Sequence, residues 1–229
     1  MKTIGLLGGM SWESTALYYR EINEFVKGTL GGLHSAKCIV YSFDFHEIEK
    51  CQSRGDWKTA SGILLSGAKA LERIGADFIV ICTNTMHKVA DDIQEGLNIP
   101  ILHIADATAD ELINNSIKKT ALLGTKYTME EDFYKSKLIN RGVDVMIPDK
   151  EGTEAVNKII FDELCLGVIS QESKRRVLSI IGELVAGSAQ GIILGCTELG
   201  LLIKPGDTEM PVFDTALIHA RRAAISAIY

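Results

Sequence analysis

What this 229-residue sequence lacks narrows the field first. No apolar run reaches the roughly 18–20 residues that a bilayer-spanning helix needs. The opening Met1-Lys2-Thr3-Ile4-Gly5-Leu6-Leu7-Gly8 has the look of a secretory leader. Its apolar stretch is too short, however, and Gly8-Gly9-Met10-Ser11 turns it into a strand and loop, so a cytoplasmic protein is expected. Cysteine is sparse and unpatterned: Cys38, Cys51, Cys82, Cys165 and Cys196 form no CxxC pair and no zinc-type Cys/His spacing. Neither a disulfide framework nor a metal site is expected. Basic residues are in deficit, 24 against 30 acidic ones for a net charge of −6, which argues against a nucleic-acid partner. The same deficit means that an acidic substrate must be captured by local donors, because the long-range field opposes it. There is no GxGxxG or P-loop; Gly8-Gly9-Met10-Ser11 and Gly124-Thr125 only loosely resemble phosphate cradles.

What is present is the ordinary composition of a globular protein, 46% hydrophobic and 24% charged. Short β-branched runs at residues 3–7, 38–43, 78–82, 101–104, 120–123, 143–147, 192–194 and 212–213 read as buried parallel strands. Amphipathic stretches at 11–30, 56–74, 106–114, 129–141, 154–166, 170–186 and 215–228 read as helices, the first capped by Ser11 and stopped by Gly31-Gly32. The alternation predicts an α/β fold with parallel sheets.

The chain also repeats itself. Ala76–Thr85 resembles Ala189–Glu198 at an offset of 113, Lys2–Gly9 resembles Lys118–Thr125 at 116, and Ile99–His103 resembles Met210–Asp214 at 111. Three matches in one order imply two homologous α/β halves, placed here as 1–98 plus 211–229 and 99–210. Without a Ser/Pro-rich linker between them, they are expected to pack closely around a cleft. Ligands in parallel sheets lie beyond the carboxyl ends of the strands, where the repeated polar turns fall.

The repeat sets Thr83 opposite Cys196. Two reactive groups at equivalent strand ends suit attack on one carbon from opposite faces, the geometry of stereoinversion. Cys196 follows an apolar strand and Gly195, a setting expected to lower a thiol's pKa and supply thiolate; the plain alternative is a small buried apolar residue. Strand alternation forbids Cys82 and Thr83 from facing the same way, so Cys82 is expected in or near the core. Asn84 and Thr85 are candidate donors to a carboxylate, with Thr197 bringing a hydroxyl to the same edge, or all three are simply turn and cap residues. Glu198 is read as orienting Thr197 or a substrate ammonium, or as a first-turn partner of the helix dipole. His87, four residues past Thr83, is read as stabilising a thiolate, binding a carboxylate or capping.

Gly8-Gly9-Met10-Ser11, Thr83-Asn84-Thr85-Met86-His87 and Gly195-Cys196-Thr197-Glu198 together resemble the aspartate/glutamate racemase family, over essentially the whole chain. The resemblance implies two Rossmann-like domains related by a pseudo-twofold axis, with the active site in the interdomain cleft. It further implies a cofactor-independent, PLP-independent amino-acid racemase, usually a homodimer, acting on aspartate or glutamate. Cys196 takes the role of the family's second-half cysteine. Where the family has a first-half cysteine this chain has Thr83, as in a subgroup for which preference for the L-enantiomer is implied. Substrate contacts are carried over to Met10, Gln52, Asn84, Thr85, Thr125 and Thr197. Single-cysteine decarboxylases, cis–trans isomerases of small diacids and a non-catalytic amino-acid-binding protein are the alternatives.

Overall fold

The structure, a computed structural model, describes all residues from Met1 to Tyr229. In chain order it contains β1 (Ile4–Gly8), α1 (Trp12–Leu30), β2 (Cys38–Ser42), α2 (Phe45–Ser53), α3 (Trp57–Arg73), β3 (Phe78–Ile81), α4 (Ala90–Glu95), β4 (Ile101–Leu102) and α5 (Ile104–Asn114). There follow β5 (Lys119–Gly124), α6 (Lys126–Glu130), α7 (Asp132–Ile139), β6 (Asp144–Met146), α8 (Lys150–Asp162), α9 (Gln171–Ala186), β7 (Ile192–Gly195), α10 (Leu199–Leu202), β8 (Val212–Asp214) and α11 (Thr215–Ile228). No helix is long and apolar enough to cross a membrane.

The strands form two four-stranded parallel sheets of the same order, β2-β1-β3-β4 and β6-β5-β7-β8. Their central strands are buried except at Lys119, where β5 begins, which is why they read as largely apolar runs. The register reproduces the sequence repeat residue for residue. Leu7 pairs with Ile81 in the first sheet, and their repeat equivalents Leu123 and Leu194 pair in the second. Likewise Ile79 pairs with Ile101 and Ile192 with Val212.

Two compact units result, Met1–Ile104 with His219–Tyr229, and Ala105–Ile218. The sequence division at 98/99 and 210/211 falls too early in both places. Main-chain hydrogen bonding keeps each short last strand with its own sheet, β4 on β3 and β8 on β7. The chain therefore changes unit only within the following helices, α5 and α11.

In the first unit, α3 lies against β1, β2 and β3. Its buried Ala60, Leu64, Ala68 and Leu71 recur at helical spacing and join Leu7, Ile79, Ile81 and Ile48 in one core. Gly67 lets the sheet approach, since a Cβ there would lie 2.6 Å from Phe43 Cζ. In α1 the buried stripe is Ser14, Tyr18, Ile22 and Val26. Ser11 caps this helix by accepting from Ser14 N–H, as expected. The second core joins Leu123, Ile192 and Leu194 to Val156, Ile160, Val177 and Ile181 of α8 and α9. Each such fully buried aliphatic side chain contributes roughly 1.5–3 kcal/mol relative to exposure.

Three helical expectations change. The single helix at 129–141 is two, because Glu131 is extended (φ −82°, ψ 158°) between α6 and α7. The helix expected at 154–166 begins earlier, where the Asp149 carboxylate accepts from Gly152 N–H, and ends at Asp162. The third difference is the set of short helices absent from the sequence pattern: α2, which carries Gln52, α4 and α10.

The β1–α1 turn is tightly enclosed. Gly9 has φ +86°, and a Cβ on it would lie 2.2 Å from the Phe43 carbonyl oxygen and 2.5 Å from its nitrogen. Its N–H donates to Thr15 Oγ1 at 2.8 Å. Both contacts are backbone and cannot swing aside, so Gly9→Ala should destabilise the protein by about 3 kcal/mol or more. Urea unfolding followed by circular dichroism measures this, and an unchanged midpoint would show that the turn yields freely.

Candidate active site

At the carboxyl end of the first sheet, the last bond from β3 into the β1 ladder is Cys82 N–H to Leu7 O, 2.9 Å. Alternation then decides the fates of the neighbouring side chains. Cys82 is fully buried, and burial pushes its thiol well above the usual range, so it is unsuited to proton abstraction. Thr83 is only partly buried.

A 3-10 turn, Thr85–Val89, follows Asn84, whose side chain makes no cap bond to it. Asn84, Thr85 and His87 are all buried here. His87 Nδ1 lies 2.8 Å from Thr83 O, and Ile104 N–H donates to His87 Nε2 at 3.2 Å. Both ring nitrogens are thus engaged by backbone, which leaves neither for a thiolate or a carboxylate. Burial, then His103, holds the His87 pKa well below the ordinary imidazole value, so the ring is neutral.

Gln52, on α2, is buried and donates from Nε2 to Met86 Sδ at 3.0 Å. It is thereby placed over the turn that follows Thr83. Met10 is 3% exposed and belongs to the first hydrophobic core with Met86, so its side chain is a packing element.

The second sheet ends differently. Gly124 and Gly195 pair at the ends of β5 and β7, and a Cβ on Gly124 would come 3.0 Å from Gly195 O. This close approach brings the residues that follow, Thr125 and Cys196, to one edge. Thr125 caps α6 by accepting from Thr128 N–H, and the two hydroxyls lie 3.2 Å apart. Cys196 is 8% exposed, against the second core. Its thiol donates to Glu198 Oε2 at 3.0 Å, and Thr197 Oγ1 donates to the same oxygen at 2.7 Å.

These contacts reverse the expectation of a lowered thiol pKa. Burial first, and then the charge and hydrogen bonding of the Glu198 carboxylate, raise the Cys196 pKa well above the usual range. The helix beyond it is only the four-residue α10, and a backbone bond from Glu198 opposes the rise without overcoming it. Glu198 caps nothing with its side chain; it accepts from its two predecessors.

The structure therefore gathers Thr83, Asn84, Thr85 and His87 after β3, with Met10 at the end of the neighbouring β1 and Gln52 above. It separately gathers Thr125, Cys196, Thr197 and Glu198 after β5 and β7. What sequence reasoning missed is a buried aromatic cluster in the first unit. The rings of His103 and His219 lie 4.6 and 5.6 Å from that of His87. Tyr18 OH lies 2.8 Å from His219 Nδ1, and His219 Nε2 lies 2.8 Å from Leu102 O. No sequence spacing announces a contact between residues 18 and 219. No group of three His, Cys, Asp or Glu side chains is arranged to hold a metal ion. A cavity of about 350 Å³ in the first unit, lined by Lys2, Asp77, Phe78 and Pro100 among others, lies at the amino ends of the strands. That is the opposite edge of the sheet from Thr83.

A family model described as Asp/Glu/Hydantoin racemase matches residues 7–223. A crystal structure of a Yersinia pestis protein, provisionally described as an Asp/Glu racemase, is 55% identical with a TM-score of 0.95, covering 100% of both chains. The crystal structure of PH1733, an aspartate racemase homologue from Pyrococcus horikoshii OT3, is 40% identical with a TM-score of 0.88, again over 100% of both. The broad specificity amino-acid racemase RacX of Bacillus subtilis (strain 168) is 26% identical over 235 residues, 95% of each chain.

Proposed function

Because the chain belongs to the Asp/Glu/hydantoin racemase family, we propose that it racemises aspartate or glutamate without a cofactor, acting more readily on the L-enantiomer. The observation that carries this reading is the hydrogen-bonded pair Cys196–Glu198, at the strand end equivalent in the repeat to that of Thr83.

Cys196 needs to lose its proton before it can act as a base, and Glu198 Oε2, 3.0 Å away, is the group placed to take it. The thiolate then removes the α-proton of the L-substrate. Asn84 and Thr85 supply donors where negative charge develops on the substrate carboxylate. Thr83 Oγ1 returns a proton to the opposite face of the α-carbon, and water later reprotonates Thr83 and collects the proton held at Cys196 and Glu198. A hydroxyl donates a proton adequately but is a poor base, because its ionised form is far less accessible than a thiolate.

The two faces should therefore differ. The enantiomers have equal free energy in water, so kcat/KM is equal in the two directions, and the asymmetry must appear in hydrogen exchange. In deuterated buffer, loss of the α-proton signal of L-aspartate or L-glutamate should outrun formation of the D-isomer by about tenfold or more, within the ~10²–10⁴-fold span of general acid–base effects. Proton NMR with chiral chromatography reads both rates. Equal labelling of the two enantiomers would reject the Thr83 assignment, and no exchange with any amino acid would reject a racemase. A panel extending beyond the acidic pair tests for broad specificity of the kind named for RacX.

A further inference from the structure

We propose that His87 is a positioning residue for Thr83: its ring holds the Thr83 carbonyl, and so fixes the face from which the hydroxyl delivers its proton. This inference rests on the reading of Thr83 as the proton donor. The need for such a device follows from where the ladder stops. Cys82 N–H makes the last β3 bond to β1, so the main chain at Thr83 has left the sheet. From there one residue takes over. His87 N–H donates to Asn84 O at 3.0 Å, and His87 Nδ1 lies 2.8 Å from Thr83 O. Two successive carbonyls are thus tied to a single histidine, and the peptide planes on which Thr83 and Asn84 depend are set together.

The protonation pattern of the ring follows from its partners. A backbone N–H only donates, so the bond from Ile104 N makes Nε2 the acceptor. A carbonyl only accepts, so the ring proton sits on Nδ1 and points at Thr83 O. Neither the other neutral tautomer nor the imidazolium makes both bonds. The neighbours hold this arrangement. The rings of His103 and His219 flank His87, and His219 is itself anchored through Leu102 O and Tyr18 OH. Ile104, the second partner, is the last residue of the first unit before the chain leaves it. The ring thus ties the Thr83 backbone to a fixed point in that unit.

Two substitutions separate the bonds. Glutamine carries a carbonyl oxygen near the Nε2 position and keeps the Ile104 bond while losing the donor to Thr83. Asparagine places an amide N–H near Nδ1 and keeps the Thr83 bond while losing the acceptor for Ile104. His87→Gln should lower the ratio of D-isomer formation to L-face exchange by about tenfold or more, within the ~10²-fold that a ~1 Å misplacement can cost. L-face exchange, which depends on Cys196 and on the donors of Asn84 and Thr85, should persist, because the bond from His87 N–H to Asn84 O is main-chain and survives the substitution. His87→Asn should restore most of the ratio even where its melting temperature falls.

Parallel loss of both rates in His87→Gln, or an unchanged ratio, would overturn the proposal. Thr83→Ala is the accompanying control. If it leaves inversion intact, the reading of Thr83 fails and the positioning role with it. If it abolishes inversion while His87→Gln does not alter the ratio, only the positioning role fails. Should the glutamine variant not fold, ¹⁵N NMR of the unaltered protein still decides. A protonated Nδ1 and a bare Nε2 are expected at His87, and the reverse tautomer would sink the idea.

Discussion

Replacing Cys196 by serine should lower α-hydrogen exchange of the L-substrate by about 10²–10⁴-fold, the range contributed by a positioned acid–base group. Serine preserves shape and the hydrogen bond to Glu198 but holds its proton far more tightly than a thiol. Even the native thiol begins at a disadvantage, because burial and the Glu198 carboxylate both raise its pKa. The same carboxylate is the acceptor 3.0 Å from Sγ, so it opposes ionisation by its charge while providing a destination for the proton.

Glu198→Gln separates those two effects. Without the negative neighbour the Cys196 pKa falls toward the ordinary thiol range, yet the internal acceptor is gone. Exchange should be depressed near neutrality and recover only as pH rises above the ordinary thiol range, because burial, the larger cause, remains. Deuterium exchange against pH measures it. A Cys196→Ser variant with near-native exchange would remove the thiol from the mechanism altogether.

The second large effect is on stability in mild acid. Burial, and then His87, depress the His219 pKa to about 3, and burial, then His103, depress that of His87 as well. Both rings are neutral in the folded protein, whereas an unfolded histidine titrates near 6.5. Below that pH the unfolded chain binds protons that the folded chain refuses. The stability contributed by these depressed values is therefore complete above about 6.5 and declines as pH falls toward the folded values.

At about 1.4 kcal/mol per pKa unit, His219 alone should cost about 2 kcal/mol by pH 5, and several kcal/mol near pH 3. The groups facing it are Tyr18 of α1 and His87 of the 3-10 turn, with the Leu102 carbonyl accepting from Nε2. None of these is a carboxylate that could favour the protonated ring and offset the loss. Lowered carboxylate values at Asp56, Glu154 and Asp207 also favour the folded state, but they are lost only at more acidic pH. Urea midpoints should accordingly fall between pH 7 and 5, and His219→Gln should flatten that slope. Equal midpoints at both pH values would show that the rings accept protons in place.

Much of the architecture was legible because it is written locally. Central strands buried on both faces read as apolar runs, and the partly exposed edge strands β2 and β6 still announced themselves through β-branched residues, so all eight strands were legible. The offset of 113 that aligned Ile79 with Ile192 and Ile81 with Leu194 is the offset that main-chain pairing preserves in the two sheets. Two-residue alternation separated buried Cys82 from partly exposed Thr83 without any coordinates. The helix break at Glu131 was not visible, since residues on both sides favour helix and only one backbone angle intervenes.

Sequence by itself determined the duplicated α/β plan and the two strand ends that carry Thr83 and Cys196, because strand period and apolar runs depend on neighbours along the chain. Tertiary structure alone decided the charge state of the groups placed there. The Cys196 thiol is held protonated by burial and by the direction in which the Glu198 carboxylate turns. His87 is held neutral by burial and then by the neighbouring His103, against the opposing pull of the Thr83 carbonyl that accepts from its ring. Desolvation and hydrogen bonding are summed over whatever lies within a few ångströms, and for these groups most of those neighbours are brought there by the fold.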